Sequence, residues 1–430
     1  MSSSAKSEGR PSDTLSYLKH FPWTTESFVD KEAKDYGFNV VRYLIFWNGI
    51  EPHRDNFRQA YLDSTERRVR WYTDRGMYVI LDMHQDVYSN LLYGNGAPRW
   101  ATITNGLTPD SIAPLGLWWL RNIQPAVINA YQNFFQHTNH KYLQEHYIMA
   151  WQKVIERFKD NPYVIGYDLM NEPHGGDLVK TLFGEFERNQ LAPFYNRLIK
   201  GIREVDNEKW IFFEPRAFGV NFALESHLPK ISDQRIGHPR MQYAPHCYPL
   251  FIESKKYIQS DKPQLLEWER RRQIELKLHG SGFHIGEFKY QPEWAGLNEY
   301  FSDFFEMTDR NMANWTYWSS DPGGAGPWNR DFTENIIMDN LIRVYPRAIA
   351  GEPISFNYNK ASNIFNLSYK NNPAISQPTE IFIPNRFFIN GYNLVLDGAT
   401  NYTTSFDVQY NILKIYCSEA KEVKITITAK

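Results

Sequence analysis

The chain alternates between short apolar runs and helical patterns from residue 38 to residue 319, and this alternation limits its fold more than any other feature. The apolar runs, which are rich in β-branched and aromatic residues, span 38–47, 78–84, 164–172, 210–214, 241–248, 282–288 and 314–319. The helical patterns between them span 61–75, 142–159, 192–205, 264–278 and 297–310. Strands that alternate with helices predict βαβ units and a parallel sheet, and near-continuous apolar strands predict burial on both faces. We therefore predict an α/β fold built on a (β/α)8 barrel.

An eight-stranded barrel needs one more strand, before residue 38. Residues 1–30 contain no apolar run that could supply it. We therefore expect the first strand to be missing from this chain, although a barrel closes only when all of its strands pair. The second and eighth strands would then keep open edges.

The pattern changes after Pro346. Short alternating runs follow one another without helices, at 354–358, 364–369, 379–384, 394–396, 405–409, 413–417 and 423–429. Closely spaced runs of this kind predict an antiparallel β-sandwich. We place the boundary near Gly351, which makes residues 1–350 the catalytic barrel and residues 351–430 the sandwich.

One connection, between residues 84 and 142, is far longer than the others. It carries large aromatic residues, namely Trp100, Trp118, Trp119, Phe134 and Phe135. Loops of this length are usually functional or disordered, and this one is too aromatic for disorder. It follows a strand, on the side where barrel active sites form. We therefore expect it to form one wall of a binding cleft.

Composition and charge exclude several classes of function. The chain has 47 basic and 49 acidic residues, a balance that argues against nucleic acid as a partner and against a polybasic membrane anchor. No apolar run reaches the length of a transmembrane span. Cys247 and Cys417 fall in different predicted domains, so no disulfide is expected. The group His137, His140 and His146 lacks the spacing of a metal site, and we predict no metal or cofactor.

Two of the predicted strands end in a glutamate. Glu172 closes the stretch that begins at Tyr167, and Glu287 closes the stretch that begins at Phe283. A carboxylate at the end of a buried strand is costly unless it is paired or functional. Retaining glycosidases need two carboxyls about 5–5.5 Å apart, one as acid/base and one as nucleophile. We therefore predict that Glu172 and Glu287 face one pocket.

Other polar and aromatic residues lie at the same strand ends. They are Arg42, His84, Asp86, Asn171, His246, Tyr248 and Trp318. Alternation along a strand places His84 with Asp86, and His246 with Tyr248, on shared faces. Glu214, which lacks a preceding Asn, is expected to form a structural ion pair, and Glu51 is expected at a turn or a helix start.

The chain resembles glycoside hydrolase family 5, and within it the endoglycoceramidases and related glycosphingolipid glycosidases. The family resemblance is carried by Asn171-Glu172-Pro173 and Gly286-Glu287-Phe288. The closer resemblance is carried by residues 81–89 (LDMHQDVYS), 95–101 (NGAPRWA), 167–173 (YDLMNEP), 317–323 (YWSSDPG), 345–348 (YPRA) and 378–381 (PTEI). These blocks occur in order over nearly the whole chain.

The resemblance implies a role for each site residue. Glu172 would be the acid/base and Glu287 the nucleophile. Asn171 would hold the sugar 2-hydroxyl, Tyr248 would keep Glu287 ionised, and Trp318 would stack on the sugar. Hydroxyl groups of that sugar would be bound by His84, Asp86 and Lys6. Arg42 and His246 would support the carboxylates.

The resemblance implies a retaining β-glycosidase that cuts glycosphingolipids between the glycan and ceramide at a membrane or micelle surface. Three alternatives stay open: a related hydrolase of glucosylceramide or a steryl glucoside, a cellulase-like enzyme, and a glycolipid-binding protein without activity. The first shares the cleaved bond with the main prediction, so the two glutamates cannot distinguish them. A monomer that acts outside the cytoplasm is further implied, although the first residues show no apolar run of an export signal.

Overall fold

The computed structural model describes residues 2–3, for the backbone alone, and residues 25–320 and 325–430. Its larger sheet has eight strands, and each pairs in parallel with the next one along the chain. These are β1 (Ser2–Ser3), β2 (Val40–Ile45), β3 (Tyr78–Met83), β4 (Val164–Asp168), β5 (Trp210–Phe213), β6 (Met241–Tyr243), β7 (Gly282–Ile285) and β8 (Asn314–Trp315). The predicted (β/α)8 architecture is confirmed.

Helices surround this sheet. They are α1 (Glu26–Lys34), α2 (Trp47–Ile50), α3 (Gln59–Thr73), α4 (Pro125–Phe135), α5 (Tyr142–Phe158), α6 (Leu178–Leu182), α7 (Ala192–Arg203), α8 (Ala217–Val220), α9 (Lys262–His279), α10 (Leu297–Arg310) and α11 (Met338–Leu341). The long helices turn apolar faces toward the strands: α7, for example, buries Phe194, Leu198 and Ile202. Because that spacing follows the helical repeat, local sequence is enough to place such a face.

The inside of the barrel changes character along its axis. Ile80, Phe212 and Ala244 form a small apolar cluster inside it. Toward the C-terminal ends of the strands, Asp82 and Asp168 lie opposite each other in the register of β3 and β4, and both are buried. Buried charges are stable only with partners, and the strand ends supply them.

The first strand differs from the prediction. Ser2 and Ser3 pair in parallel with Arg42 and Tyr43 of β2, so two residues of the chain take the first position. The sequence predicted no strand before β2, and the structure differs from that prediction by this two-residue pairing. Two serines form no apolar run in the sequence, and only the backbone pairing with β2 identifies them as a strand. Lys6 lies outside the described residues.

The long connection after β3 is more ordered than the sequence suggested. It contains four 3-10 turns, at Asn90–Leu92, Arg99–Ala101, Pro114–Gly116 and Trp118–Ile123, and then α4. Helix α4 starts with a proline at its first turn, a favourable position, and it buries Phe134 and Phe135 in the main core. These two rings therefore pack the barrel instead of lining its cleft.

The C-terminal residues form two four-stranded antiparallel sheets. One has the order β10-β11-β16-β13 and the other β14-β15-β12-β9. The strands are β9 (Tyr345–Ala348), β10 (Gly351–Asn359), β11 (Ile364–Asn371), β12 (Thr379–Phe382), β13 (Tyr392–Asp397), β14 (Tyr402–Asp407), β15 (Ile412–Cys417) and β16 (Glu422–Ala429). Strand β9 pairs with β12 although it precedes the predicted boundary at Gly351. Among the described residues, Cys247 and Cys417 are both free cysteines.

Candidate active site

The C-terminal ends of the barrel strands bring most of the predicted site residues together. They are Arg42 on β2, His84 and Asp86 after β3, Asn171 and Glu172 after β4, His246 and Tyr248 after β6, Glu287 after β7 and Trp318 after β8. This is the end of a (β/α)8 barrel at which active sites form.

Glu287 is buried, and both of its carboxylate oxygens have partners. Nη1 of Arg42 donates to Oε1 at 2.8 Å. The Tyr248 hydroxyl donates to Oε2 at 2.9 Å, and Nδ1 of His246 lies 3.6 Å from the same oxygen. Burial raises the pKa of Glu287, and the positive charges of His246 and Arg42 oppose that rise. The carboxylate is thus held in one orientation in the pocket.

Glu172 is partly exposed and has an unusual backbone conformation. Its φ of 45° lies in the left-handed region, which costs a non-glycine residue roughly 1–3 kcal/mol and is enriched at active sites. Its N–H donates to Oε2 of Glu214 at 2.9 Å. Its Oε1 accepts a hydrogen bond from Nδ2 of Asn221 at 2.8 Å and lies 2.9 Å from Nδ1 of His246. Local contacts therefore fix both its main chain and its carboxylate.

The two glutamates are close together. One oxygen of Glu172, one oxygen of Glu287 and one ring nitrogen of His246 all lie within 4.8 Å of one another. Retaining glycosidases have carboxyls about 5–5.5 Å apart, whereas inverting ones have them about 6.5–9.5 Å apart. The separation fits the retaining geometry.

The same three side chains are the only group of three potential metal ligands in the described part of the chain. Two carboxylates and an imidazole are ligands that a divalent cation accepts. Here, however, the guanidinium of Arg42 already lies 2.8 Å from Glu287. A cation would face this fixed positive charge, so the arrangement suits carboxylate chemistry better than metal binding.

Arg42 is fully buried and connects the site residues to one another. Its guanidinium donates to Asp168 (Nε, 2.8 Å), Glu287 (Nη1, 2.8 Å), Asn171 (Nη2, 2.9 Å) and Glu214 (Nη2, 3.0 Å), and Nη2 lies 3.1 Å from Asp82. Burial raises the pKa of Asp168 well above its usual value, despite the opposing charge of Arg42. Arg42 is therefore the shared positive partner of these buried carboxylates.

His246 bridges three carboxylates. Its Nδ1 faces Glu172 and Glu287, and its Nε2 lies 3.2 Å from Oε1 of Glu214. Burial by itself favours the neutral imidazole, but the charges of Glu214 and Glu287 outweigh it and raise the pKa of His246 well above its usual value. The carboxylates around both ring nitrogens therefore favour the charged form of His246.

His84 lies between the buried Asp82 and Trp318, the residue predicted to stack on the sugar. Its Nδ1 lies 2.7 Å from Asp82, and its Nε2 lies 3.4 Å from Asp86. Its ring stacks on Trp318 with centroids 5.5 Å apart and planes 10° apart. Burial lowers the pKa of His84, but the two aspartates raise it to about 9.

Asn171 is buried, and its amide is already engaged. Its Oδ1 accepts from Arg42 at 2.9 Å, and its Nδ2 donates to the carbonyl oxygen of Gln85 at 2.9 Å. The Nδ2 group has a second hydrogen. Asn171 can therefore keep its orientation and still donate to a ligand.

The sequence did not single out Gln85 and Asn221. Gln85 donates to the carbonyl oxygens of Asn171 and Glu172 and accepts from the hydroxyl of Tyr131. Asn221 donates to the Glu172 carboxylate. The signals for Gln85 were its place between His84 and Asp86 and within the block 81–89, and Asn221 had none. Glu214 forms the expected ion pair, with Arg42.

Two other acidic and basic candidates serve the scaffold. Glu51 directly follows α2, where its N–H donates to the Trp47 carbonyl oxygen at 2.8 Å, so it closes a helix and does not start one, and it is fully buried. It accepts from the indole of Trp47 at 3.1 Å and lies 2.6 Å from Nδ1 of His146. His146 is thus a partner of Glu51.

The tryptophans of the long connection differ in their surroundings. Trp118 is about half exposed. Trp119 packs on Phe218 and Phe222, which follow β5, with ring centroids 6.1 Å and 5.5 Å apart. The connection therefore reaches the segment that follows β5. No helix in the described ranges is both long enough and apolar enough to cross a membrane.

Comparisons with known proteins identify the family. The model of the cellulase family, glycosyl hydrolase family 5, matches residues 5–324, and the model of the family 5 C-terminal domain matches residues 343–428. Endo-glycoceramidase II from Rhodococcus sp., solved with ganglioside GM3, is 34% identical with a TM-score of 0.89 over 99% of this chain and 96% of that one. A second structure of that enzyme, solved as the lactosyl-enzyme intermediate, is 35% identical in sequence with a TM-score of 0.87, again over 99% of this chain and 96% of that one. An endoglycoceramidase from Hydra vulgaris is 26% identical over 95% of this chain and 83% of its own length. The chain belongs to glycosyl hydrolase family 5 and is a glycoside hydrolase.

Proposed function

We propose that this protein is a retaining β-glycosidase that hydrolyses the bond between the glycan and ceramide of glycosphingolipids. The observation that carries the proposal is the approach of the Glu172 and Glu287 carboxylates to within 4.8 Å at the open end of the barrel. The Rhodococcus relative supports it, because its structures include a ganglioside complex and a lactosyl-enzyme intermediate.

In the first step, Glu287 is the nucleophile. Its carboxylate oxygen bonds to the anomeric carbon while the bond from that carbon to the ceramide oxygen breaks. Glu172 gives its proton to the departing oxygen, so ceramide leaves as a neutral alcohol. Arg42 and Tyr248 support this role because both donate to the Glu287 carboxylate and hydrogen bonds to the charged form favour it.

In the second step, Glu172 is the base. Its carboxylate takes a proton from water while the water oxygen bonds to the anomeric carbon and Glu287 leaves. Two inversions at one carbon retain the β configuration. His246 supports both steps, since its Nδ1 lies 2.9 Å from Glu172 and 3.6 Å from Glu287 and moderates their repulsion.

The remaining site residues bind the sugar next to the cleaved bond. Asn171 donates to the 2-hydroxyl, a contact that strengthens in the transition state, and Trp318 offers a flat ring for stacking. Asp86 accepts from a hydroxyl. Direct contacts from His84 and Lys6 stay predictions; His84 also holds the ring of Trp318 and faces Asp86.

A panel of glycolipids in detergent tests the proposal. GM3, lactosylceramide, glucosylceramide and a steryl glucoside should be compared, with the free sugar and the free lipid measured as separate products. We expect release of intact glycan from the first two and loss of release in Glu172→Gln and Glu287→Gln. Cleavage of glucosylceramide or a steryl glucoside alone would favour the related lipid-glucoside hydrolase. Binding without any product would favour the non-catalytic alternative.

Assembly and location are proposed from the resemblance to the endoglycoceramidases. The proposed partner is the glycosphingolipid itself, bound by a monomer that acts outside the cytoplasm. Sedimentation of the purified chain and fractionation of the producing cells test these two statements.

A further inference from the structure

The long connection after β3 exposes an apolar tip, residues 111–120, called here the tip loop. Leu115 is 89% exposed, Ile112 is 73% exposed and Trp118 is 47% exposed. No Asp, Glu, Lys or Arg occurs from residue 111 to residue 120. Single exposed apolar residues are ordinary on protein surfaces, but a charge-free group of them needs an explanation.

Hydrogen bonds hold the base of the tip loop. The buried Nε2 of Gln124 donates to the carbonyl oxygens of Asp110 and Ile112 at 3.2 and 3.1 Å. Arg121 donates to the carbonyl oxygens of Asp110 and Ser111 at 3.2 and 2.7 Å. These bonds tie both ends of the loop together, so the apolar tip is held out from the barrel.

The conformation of the tip is itself costly. Leu115 has φ 53°, a left-handed value that costs a residue with a Cβ roughly 1–2 kcal/mol. Pro114 precedes it, and Gly116, with φ 70°, follows it. Glycine would adopt this backbone conformation at a lower energetic cost than leucine. The Leu115 side chain does not offset the cost by packing against the described residues, because it is 89% exposed.

The tip loop adjoins the catalytic pocket. Trp119, next to the exposed Trp118, packs on Phe222 with ring centroids 5.5 Å apart. The neighbour of Phe222 in the chain is Asn221, whose Nδ2 donates to the Glu172 carboxylate at 2.8 Å. Phe222, which packs on the tip loop, and Asn221, which contacts the proposed acid/base, are thus consecutive residues. A surface that binds the tip loop would therefore also lie close to the catalytic pocket.

We propose that the tip loop inserts into the surface of a lipid layer and docks the pocket there. A lipid layer fits because the tip is apolar and uncharged, while the cation Arg121 lies at its base, at the depth of polar head groups. A protein partner would have to match this shape, and the loop offers no charge to guide such a match. The link to the substrate rests on the proposed function, but lipid binding itself does not.

Flotation with phosphatidylcholine vesicles that contain no glycolipid tests the proposal. Leu115→Asp is the test variant. Ile236→Asp is the matched control, because Ile236 is 88% exposed and lies just before β6, at the opposite end of the barrel. We expect the full chain and the control to float with the vesicles, and Leu115→Asp to bind about tenfold more weakly, since a charge replaces an inserted apolar side chain. All three should have the same Tm and cleave a soluble aryl lactoside equally.

Equal flotation of Leu115→Asp and the full chain would overturn the proposal, as would a full chain that does not float. Self-association without lipid that Leu115→Asp abolishes would show instead that a second copy covers the tip, and would also overturn it. Failure to cleave any glycolipid in detergent would reject the proposed function and leave the flotation result standing.

Discussion

Gln85 holds the main chain of Glu172: its Nε2 donates to the Glu172 carbonyl oxygen at 3.0 Å. The same nitrogen donates to the carbonyl oxygen of Asn171 at 2.8 Å, and its Oε1 accepts from Tyr131 at 2.8 Å. Glu172 has φ 45°, a conformation that persists only when its surroundings impose it. Gln85 is therefore a positioning residue for the proposed acid/base.

Gln85→Leu should impair proton donation more than nucleophilic attack. A displaced acid matters most when the leaving group needs a proton, and small displacements cost up to about 100-fold in rate. We expect a loss of kcat of about 10- to 100-fold on alkyl glycosides and a much smaller loss on activated aryl glycosides. Tyr131→Phe, which removes one bond to Gln85 and leaves the bonds to Glu172, is the control. Equal losses on both substrate types would indicate a structural role.

The two glutamates should differ in chemical rescue. Azide should restore turnover in Glu287→Gly and yield a glycosyl azide of inverted configuration, because the azide replaces the nucleophile. In Glu172→Ala it should yield the retained configuration, because Glu287 still forms the glycosyl-enzyme. Without azide, loss of the acid/base should lower kcat by about 10²–10⁴ on substrates with poor leaving groups. Product configuration by NMR decides, and a reversed pattern would exchange the two roles.

Tyr248→Phe should move the acidic limb of the kcat/KM profile to higher pH. Burial already raises the pKa of Glu287, and the Tyr248 hydroxyl donates to the charged carboxylate. Without this donor the charged form of Glu287 is less stable and its pKa rises further. Activity therefore falls at a higher pH on acidification. Tyr147→Phe is the control, since that hydroxyl donates to the main-chain oxygen of Leu169. An unchanged acidic limb in Tyr248→Phe would contradict the assignment.

His84 should make stability fall as pH rises. Its pKa in the folded chain is about 9, above the usual 6.5, because Asp82 and Asp86 outweigh its burial. The contribution of His84 to the free energy of unfolding is fully present below about pH 6.5 and is lost as the pH rises toward about 9. His84→Gln should therefore flatten the pH dependence of urea unfolding between these values. A slope equal to that of the parent chain would assign the effect to other groups.

Gly37→Ala should destabilise the junction of barrel and sandwich. Gly37 has φ 69°, and an added Cβ would lie 2.3 Å from the ring of Phe382 on β12. Gly76 is the matched control, because its φ is 70° and an added Cβ meets nothing within 4 Å. The control substitution carries only the backbone cost of roughly 1–2 kcal/mol, whereas Gly37→Ala should cost roughly 1–3 kcal/mol more. Equal urea midpoints for the two variants would show that Phe382 moves aside.

The barrel could be predicted because its signals are local. Apolar strands such as β3 and the helical face of α7 repeat every few residues, and the repeat survives in any tertiary context. Strand β1 could not be predicted in this way. Ser2 and Ser3 have no strand pattern, and they become a strand only because β2 offers them a partner.

The candidate glutamates could be proposed from sequence because Glu172 and Glu287 each end an apolar run, which is a local and unusual placement. The distance between the two glutamates could not be predicted, because it depends on contacts between distant parts of the chain. Arg42, for example, contacts Glu287 across 245 positions, and the two meet only when the sheet curls. The same closure makes Gln85 and Asn221 neighbours of Glu172. An amide side chain in a loop has no pattern of its own, because its role depends on which distant carbonyl or carboxylate lies within hydrogen-bond reach, and only the packed barrel decides that.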